Sequence, residues 1–382
     1  MISKTNNKVK LLIVTQKIDE NDSILGFFHR WVEEFAKHCE QVTVICLQKG
    51  VYHLPNNVKV LSLGKEEAEP TRSLRRSEAT GKVRVGSAIL LLMRLKYILR
   101  FYRYIWRERK NYDAVFVHMN PIYVVLGGPL WRIWKKKAAL WYTHKQVDLK
   151  LRIAEKFANI IFTASKESFR LKSKKVKIMG HGIDVDRFTP KMIKGNKGGR
   201  LHIITVGRIS PIKDYETLVF ASEELIGRNV PIHVSIVGDA PSADQKAYIS
   251  HIHSLIKEKN LEPVFSFCGA IPNKDLPQAL QRADVFVNMS HTGSLDKAIL
   301  EAMAIGLPIL TCNEALVSVL GGENTSLMFK KGDARDFAGK IIEIKNMGSN
   351  KHNKLSSELR NIVVKNHNIK NLISSLVKEL KN

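Results

Sequence analysis

Acid is scarce in this sequence. Asp and Glu number 36 against 61 Lys and Arg, which leaves a formal net charge of +25 at pH 7. A surface so unbalanced implies an anionic partner: nucleic acid, acidic lipid or a phosphorylated substrate. Charge alone does not choose among them. Cysteine is sparse too. Cys39, Cys46, Cys268 and Cys312 are scattered, three of them in or beside apolar runs. They form neither a metal-ligand spacing nor a disulfide framework, which suits a reducing cytosol. No uninterrupted apolar segment approaches the roughly 20 residues that span a bilayer. The apolar run in MISKTNNKVKLLIVT is too short for a signal peptide and leads at once into polar QKIDEND. The expectation is a cytoplasmic protein, with the inner face of a membrane as a candidate peripheral location. Short internal repeats are absent, and no DxD-type acidic pair stands where it would hold a metal.

What is present is strand and helix in alternation. The 382 residues, 44% hydrophobic, suffice for two domains that each bury a core. Val9–Thr15, Val42–Leu47 and Val58–Leu61 are short β-branched runs that predict strands. Between the first two, Phe27, Phe28, Trp31, Val32, Phe35 and Ala36 recur at helical spacing. Strand, helix, strand at this interval predicts a parallel, doubly wound sheet. The loop 16–26 then lies at the C-terminal end of the first strand, where such sheets bind ligands. Further strands are expected at 113–118, 138–142, 159–163 and 176–179, followed by the turn GHGID at 180–184. Residues 65–85 are polar and charged, as in a mobile loop. TPKMIKGNKGGR, 189–200, has no apolar period and the composition of a linker. Beyond it, strands are expected at 201–206, 233–237, 264–267, 284–288, 308–310 and 326–329. Helices are expected at 215–227, 242–259, 275–282, 296–305 and 334–346. The expected domains are 1–190 and 201–365, joined by a linker at 191–200. A terminal helix at 366–382 has the first domain as its candidate partner.

One further predicted helix is distinctive. Leu91, Leu95, Ile98, Tyr102 and Ile105 make one apolar stripe, and Lys96, Arg100, Arg103, Arg107 and Lys110 repeat the same steps roughly opposite. It reads either as a surface helix with a solvated basic face or as a helix that leans on anionic phospholipid. In the second case Tyr97, Phe101, Tyr104 and Trp106 would sit near the headgroups. No nucleic-acid-binding module surrounds it, so no specific nucleic-acid partner is expected.

The chemistry concentrates in SHTGSLDKAILEAMAIGLP, 290–308. Val285–Val287 close an apolar run, Thr292, Gly293 and Ser294 make a turn, and Asp296 opens a helix whose apolar residues predict burial. Gly306 and Pro308 stop it. A strand feeding such a loop presents backbone N–H groups at the positive end of a helix dipole, a seat for phosphate. Glu301 is an acid on an otherwise apolar helix; alone it reads first as a capping or salt-bridged glutamate, and its neighbours turn it into a site candidate. Upstream, VGRISPIKD (206–214) is a strand and a turn bearing Arg208 and Lys213. Such a cation pair can clamp a diphosphate, Arg as a fork and Lys as a point charge.

Together DKAILEAMAIGLPIL and VGRISPIKD resemble the C-terminal domain of retaining, GT-B-fold glycosyltransferases of family 4. That family includes sucrose-phosphate synthases and phosphatidylinositol mannosyltransferases. The resemblance is specific from about residue 201 to 320 and looser before it. It implies an α/β chain with two doubly wound, Rossmann-like domains facing across a cleft. Gly207, Arg208 and Lys213 match the family's G-R-x-x-x-x-K, which implies that Arg208 and Lys213 hold the donor diphosphate and stabilise the leaving group. Glu301 takes the place of the second acid of E-x7-E, implying a grip on the ribose hydroxyls. VGDAP, with Gly238, is similar to the family's glycine-rich turn. CGAI, with Ala270 and Ile271, is similar to the segment beside the base, and GHGID, with Gly182 and Asp184, to the turn closing the first domain. His118, ending DAVFVH, falls where the family has its reaction-centre histidine, so the implied role is catalytic, on the donor sugar. Gly26 would let backbone approach the donor phosphates, although its loop lacks the family's glycine pair. The implied donor is a UDP- or GDP-sugar of hexose type. The implied acceptor is a glycan or lipid-linked molecule in surface polysaccharide or glycolipid assembly, and neither metal nor cofactor is required.

The chain departs from the pattern at one place. The first acid of E-x7-E would fall at 293, which is Gly293. Ser294, Asp296, Lys297 and Ala298 remain as donor-side candidates, and the expectation is that Ser294, Asp296 or Lys297 takes over the lost contact. Impaired catalysis is the alternative. His144 is a candidate acceptor contact, and His181 is expected to fix its turn. Two rivals stay open: a nucleotide-sugar-binding protein without transfer, and a GT-B-type epimerase, whose acids should stand in the first half, where none is convincing.

Overall fold

In KLLIVTQKI the residues Leu11–Val14 are wholly buried, the two-sided burial that an inner strand of a parallel sheet requires. The computed structural model describes residues 8–68, 87–190, 199–291, 293–321 and 326–381. By internal contacts the chain divides into two units, Met1–Met179 with Lys370–Asn382, and Gly180–Ile369. The first unit runs β1 (Lys10–Ile18), α1 (Gly26–His38), β2 (Gln41–Lys49), β3 (Val58–Ser62), α2 (Ser87–Arg107), β4 (Ala114–His118), α3 (Ile122–Ile133), β5 (Lys137–Trp141), α4 (Leu149–Phe157), β6 (Ile160–Thr163) and β7 (Val176–Ile178). Its sheet is parallel, in the order β3-β2-β1-β4-β5-β6-β7. The winding reverses between β1 and β4, the place where an open α/β sheet offers a ligand crevice beyond its strand ends.

The second unit repeats the plan with β8 (Leu201–Val206), α5 (Tyr215–Gly227), β9 (Ile232–Val237), α6 (Ala243–Glu258), β10 (Phe265–Gly269), α7 (Leu276–Arg282), β11 (Val285–Asn288), α8 (Lys297–Ala304), β12 (Ile309–Thr311), α9 (Val317–Leu320), α10 (Ala334–Lys345) and α11 (Ser349–Asn366). Its parallel order is β10-β9-β8-β11-β12, so the reversal falls between β8 and β11. One side of the sheet buries Leu218, Tyr248, Ile252, Phe337 and Ile341 from α5, α6 and α10. The other buries Leu280, Ile299, Met303, Leu355 and Leu359 from α7, α8 and α11. Local chemistry sets the helix starts. Ser242 and Gln245 form a reciprocal capping box on α6, and the Asp214 carboxylate accepts from the Thr217 N–H at the start of α5.

The structure differs from the sequence expectations in several places. Residues 326–329 form no strand; Met328 makes a single bridge to Thr311. The turn 180–184 lies in the second unit. There the Ile183 N–H donates to the His367 carbonyl (2.7 Å), the Ile369 N–H donates back to Ile183 (3.0 Å), and the Arg360 guanidinium caps the carbonyls of Val185, Phe188 and Ala304. Most of the expected loop at 65–85 and of the linker at 191–200 falls outside the described residues. The last helix, α12 (Ile369–Lys381), is held in the first unit by Lys137, which donates to the Glu379 carbonyl (2.7 Å), and by Lys177, paired with the Glu379 carboxylate (2.6 Å).

On α2 the buried face is not the expected stripe. Phe101 and Ile105 are fully buried, whereas Leu91 and Leu95 are exposed, as are Leu92, Leu99 and Trp106. Phe101 therefore anchors the helix to the core rather than standing at a surface. Tyr104 is half-buried and donates to the Ser62 carbonyl at 3.2 Å.

The 180–184 turn carries a pH dependence. The His181 N–H donates to His367 Nδ1 (3.0 Å), and His181 Nε2 donates to the Leu295 carbonyl (3.1 Å). Burial, then the neighbouring His367, pushes His181 down to about 4, and burial pushes His367 down to about 4. A histidine in the unfolded chain titrates near ~6.5. Between these values the unfolded chain binds more protons, so the stabilisation is complete above pH ~6.5 and is lost as pH falls towards ~4. The expected loss across that window is about 3 kcal/mol for each histidine. Urea denaturation at stepped pH measures it, and His367→Gln, which can still accept from His181, flattens the slope.

Candidate functional site

The β8/β11 reversal brings together residues 83 positions apart in the chain. Gly207 follows β8 and donates to the Val237 carbonyl at 2.9 Å, and Gly238 follows β9 and donates to Gly269 at 2.8 Å. The two turns touch: a Cβ on Gly238 would lie 1.8 Å from the Gly207 carbonyl oxygen, and one on Gly207 would lie 3.3 Å from Lys213 Nζ. Only glycine permits that approach. Arg208 is exposed and, among the described residues, forms no ion pair. Lys213 ends a short 3-10 turn, Pro211–Lys213, and its ammonium is paired with the Asp296 carboxylate.

Asp296 is the N-cap of α8. It accepts from Asn288 Nδ2 at the end of β11 (3.0 Å) and from the Ala298 N–H (3.3 Å). Burial works to raise this carboxyl, but the Lys213 charge beside it and the hydrogen bonds from Lys213, Asn288 and Ala298 hold it below the usual carboxylate range. The sequence predicted an open phosphate seat at this helix start. In the structure the chain's own Asp296 carboxylate caps one of those groups, the Ala298 N–H.

One helical turn on, Glu301 is 3% exposed. It is held by Lys297 on the same helix (2.8 Å) and by Asn273 Nδ2 (3.0 Å). Burial lowers the Lys297 ammonium, and Glu301 offsets part of the fall. Ala298 is buried between the two acids in sequence. The Ser294 carbonyl accepts from Asn313 Nδ2 at 2.7 Å, and Gly293 sits at φ +56, so this loop is tied down rather than slack. Ala270 is exposed and Ile271 half-buried, directly after the left-handed Gly269. Asn273, Asn288 and Asn313 escaped the sequence reading. Their signal is a polar residue in or next to an apolar strand or turn, too common to single out.

The remaining predicted residues belong to the first unit. His118 ends β4 at the β1/β4 reversal and is 1% exposed. Its Nδ1 is 3.2 Å from the Thr15 hydroxyl, and its ring stacks on Phe28 at 3.9 Å, with Phe27 and Trp31 at 6.1 Å. It is a packed member of an aromatic cluster, more deeply enclosed than a reaction-centre residue at a strand edge was expected to be. Gly26 opens α1, where a Cβ would meet the Glu20 carbonyl at 3.1 Å. His144 is exposed, 5.9 Å from the Tyr142 ring.

Comparison with known proteins bears on this geometry. Residues 200–346 match the family described as Glycosyl transferases group 1. WcaL of Salmonella typhimurium, named for colanic acid biosynthesis as a glycosyltransferase, is 26% identical over 203 residues, covering 51% of this chain and 47% of that protein. Mannosylfructose-phosphate synthase of Agrobacterium fabrum is 26% identical over 166 residues, covering 41% of this chain and 35% of that one. The chain thus spans half or less of the length of the curated relatives it matches. Among solved structures, a sucrose-phosphate synthase of Thermosynechococcus elongatus superposes with a TM-score of 0.73 at 16% identity, covering 97% of this chain and 98% of that one. Anabaena HepE, solved with UDP, gives 0.71 at 16% identity, covering 97% and 99%. At that identity the structural likeness speaks for fold alone, and it is the GT-B fold, two Rossmann-like units with parallel sheets. Residues 200–346 are thus a domain of the Glycosyl transferases group 1 type, similar to its counterparts in family 4-type glycosyltransferases, and the fold of the chain is the GT-B fold.

Proposed function

We propose that the protein is a retaining glycosyltransferase that moves a hexose from a UDP- or GDP-sugar to a glycan or lipid-linked acceptor. The observation that carries this reading is the convergence at the β8/β11 reversal of Gly207, Gly238, Lys213 and the start of α8. Backbone can approach a diphosphate closely there, and two cations, Arg208 and Lys213, stand on one short turn. As the bond to the sugar breaks, negative charge grows on the departing nucleoside diphosphate. Fixed cations in a partly desolvated site stabilise that charge most where it develops. Glu301, oriented by Lys297 and Asn273, is the acid for the ribose hydroxyls. His118 is assigned to the sugar's reaction centre, held by Thr15 and its aromatic neighbours. Retention of configuration fits a reaction in which the leaving phosphate takes the acceptor's proton on the same face.

A panel of UDP- and GDP-sugars tests the proposal, read by thermal shift and by release of nucleoside diphosphate with and without a mixed glycan and polyprenyl-phosphate acceptor set. Acceptor-dependent release supports it. Binding without release supports the non-catalytic rival, and conversion of donor to its epimer without acceptor supports the other.

The acceptor side draws on α2. Leu91, Leu92, Leu95, Leu99 and Trp106 are between 50% and 68% exposed. On a helix they share a sector of about 100°, flanked by Lys96, Arg103 and Arg107. No helix among the described residues is long and apolar enough to cross a membrane. A leucine face with a basic margin suits the surface of an anionic bilayer. The protein is expected to co-sediment with phosphatidylglycerol vesicles and not with phosphatidylcholine alone, and Leu95→Glu with Leu99→Glu lowers partitioning about tenfold. Equal sedimentation of the double variant would remove α2 from the account.

A further inference from the structure

The site's charges do not add up to an open diphosphate clamp. Arg208 and Lys213 bring two positive charges, but Asp296 returns one negative charge directly to Lys213, and Lys297 with Glu301 cancels within itself. Asp296 is fixed for this task. Asn288 Nδ2 and the Ala298 N–H hold its carboxylate, and its side chain and that of Lys213 are only 18% and 16% exposed. The carboxylate therefore takes the two positions an incoming phosphate would use, the ammonium of Lys213 and the capped start of α8.

We infer that Asp296 is a built-in competitor for the nucleotide's phosphates: it holds Lys213 while the site is empty and weakens the grip on nucleoside diphosphate. This rests on the proposed nucleotide site and deepens it. A diphosphate reaching Lys213 must displace the carboxylate or share the ammonium with it, and either route costs affinity. The same cost speeds departure of the product, a step that is rate-limiting in many enzymes. Asp296 acts through Lys213, as a positioning residue, and needs no contact with the sugar.

The test is a double-mutant cycle on UDP and GDP binding, measured by calorimetry on the full chain. Asp296→Asn removes the charge, and asparagine remains a good N-cap, so α8 keeps its start. The expected result is about tenfold tighter binding of the preferred nucleoside diphosphate. Lys213→Met weakens binding, and adding Asp296→Asn to Lys213→Met restores far less than the tenfold gain, because the competitor has lost its object. A thermal melt of the unliganded variants provides the structural check: Asp296→Asn lowers the melting temperature even as it tightens binding, a combination that simple damage to the site does not produce. If wild type binds a nucleoside diphosphate and Asp296→Asn binds it equally or more weakly, the inference is overturned and the nucleotide site stands. If neither wild type nor any variant binds UDP or GDP, the site assignment itself falls, and this inference with it.

Discussion

Lys213→Met is expected to lower kcat/KM for sugar transfer by about a thousandfold, the largest functional loss from removing any single charge in the second unit. The ammonium proposed to meet developing charge on the leaving group is gone, and on that turn only the exposed Arg208 remains as a cation. The methionine, similar in length, keeps the packing against the Gly207 turn, so the loss is electrostatic rather than a collapse. Asp296 still has Asn288 and the Ala298 N–H as partners, so the cost in stability is about 1–3 kcal/mol, below that of a fully orphaned buried charge. Arg208→Ala is expected to be milder, because an exposed guanidinium is already solvated and loses less. The measurement is kcat/KM with the donor that the sugar panel selects, together with the pH-independent rate at saturating donor. Retention of activity within about tenfold would show that Lys213 does not stabilise the leaving group.

Much of this site was legible because its backbone and its chemistry share a signal. β-branched runs at regular intervals mark two parallel sheets, and the order reversal in each then places the ends of β8 and β11 side by side. Apolar residues around α8 announced its burial, and Glu301 stood out against them. Pairing was not legible. That Lys213 meets Asp296 follows from a contact across 83 residues, and nothing in either local stretch says which of several cations will claim the carboxylate. The orientation of α2 failed for a related reason. Two apolar stripes, 91/95/98/102/105 and 97/98/101/104/105, fit one helix, and only the sheet it covers decides between them. Helix α11 was missed because its charged and amide residues dilute the period. Its buried line of Leu355, Leu359 and Val363 was present at steps of four. α3 was hidden by Gly127, Gly128 and Pro129, residues that normally argue against a helix; the glycines let Trp131 and Phe157 pack closely there.

Gly238→Ala is expected to be the most damaging substitution by a single methyl group in the second unit. The added Cβ would lie 1.8 Å from the Gly207 carbonyl oxygen and 2.8 Å from its carbon, and both atoms are backbone, with no rotamer to move away. Gly238 also holds φ +154, outside the range that residues with a Cβ commonly adopt. Relief requires the turns after β8 and β9 to separate. Separation breaks the Gly207 N–H bond to Val237 (2.9 Å) and the Ile209 N–H bond to Asp239 (3.0 Å), and it strains the Gly238 N–H bond to Gly269 (2.8 Å). Strain and lost bonds together cost about 3 kcal/mol or more. The same movement carries Arg208 and Lys213 out of register with α8, so nucleotide binding disappears along with the stability. Gly339→Ala is the matched control. It lies inside α10, where an added Cβ meets nothing within 4 Å, and alanine there is expected to stabilise by about 0.5–1 kcal/mol. Urea denaturation of both variants, with a UDP and GDP thermal shift on each, reads the contrast. If Gly238→Ala unfolds within about 0.5 kcal/mol of the parent and still binds nucleotide, the two turns do not touch, and the seat assigned to the diphosphate loses its floor.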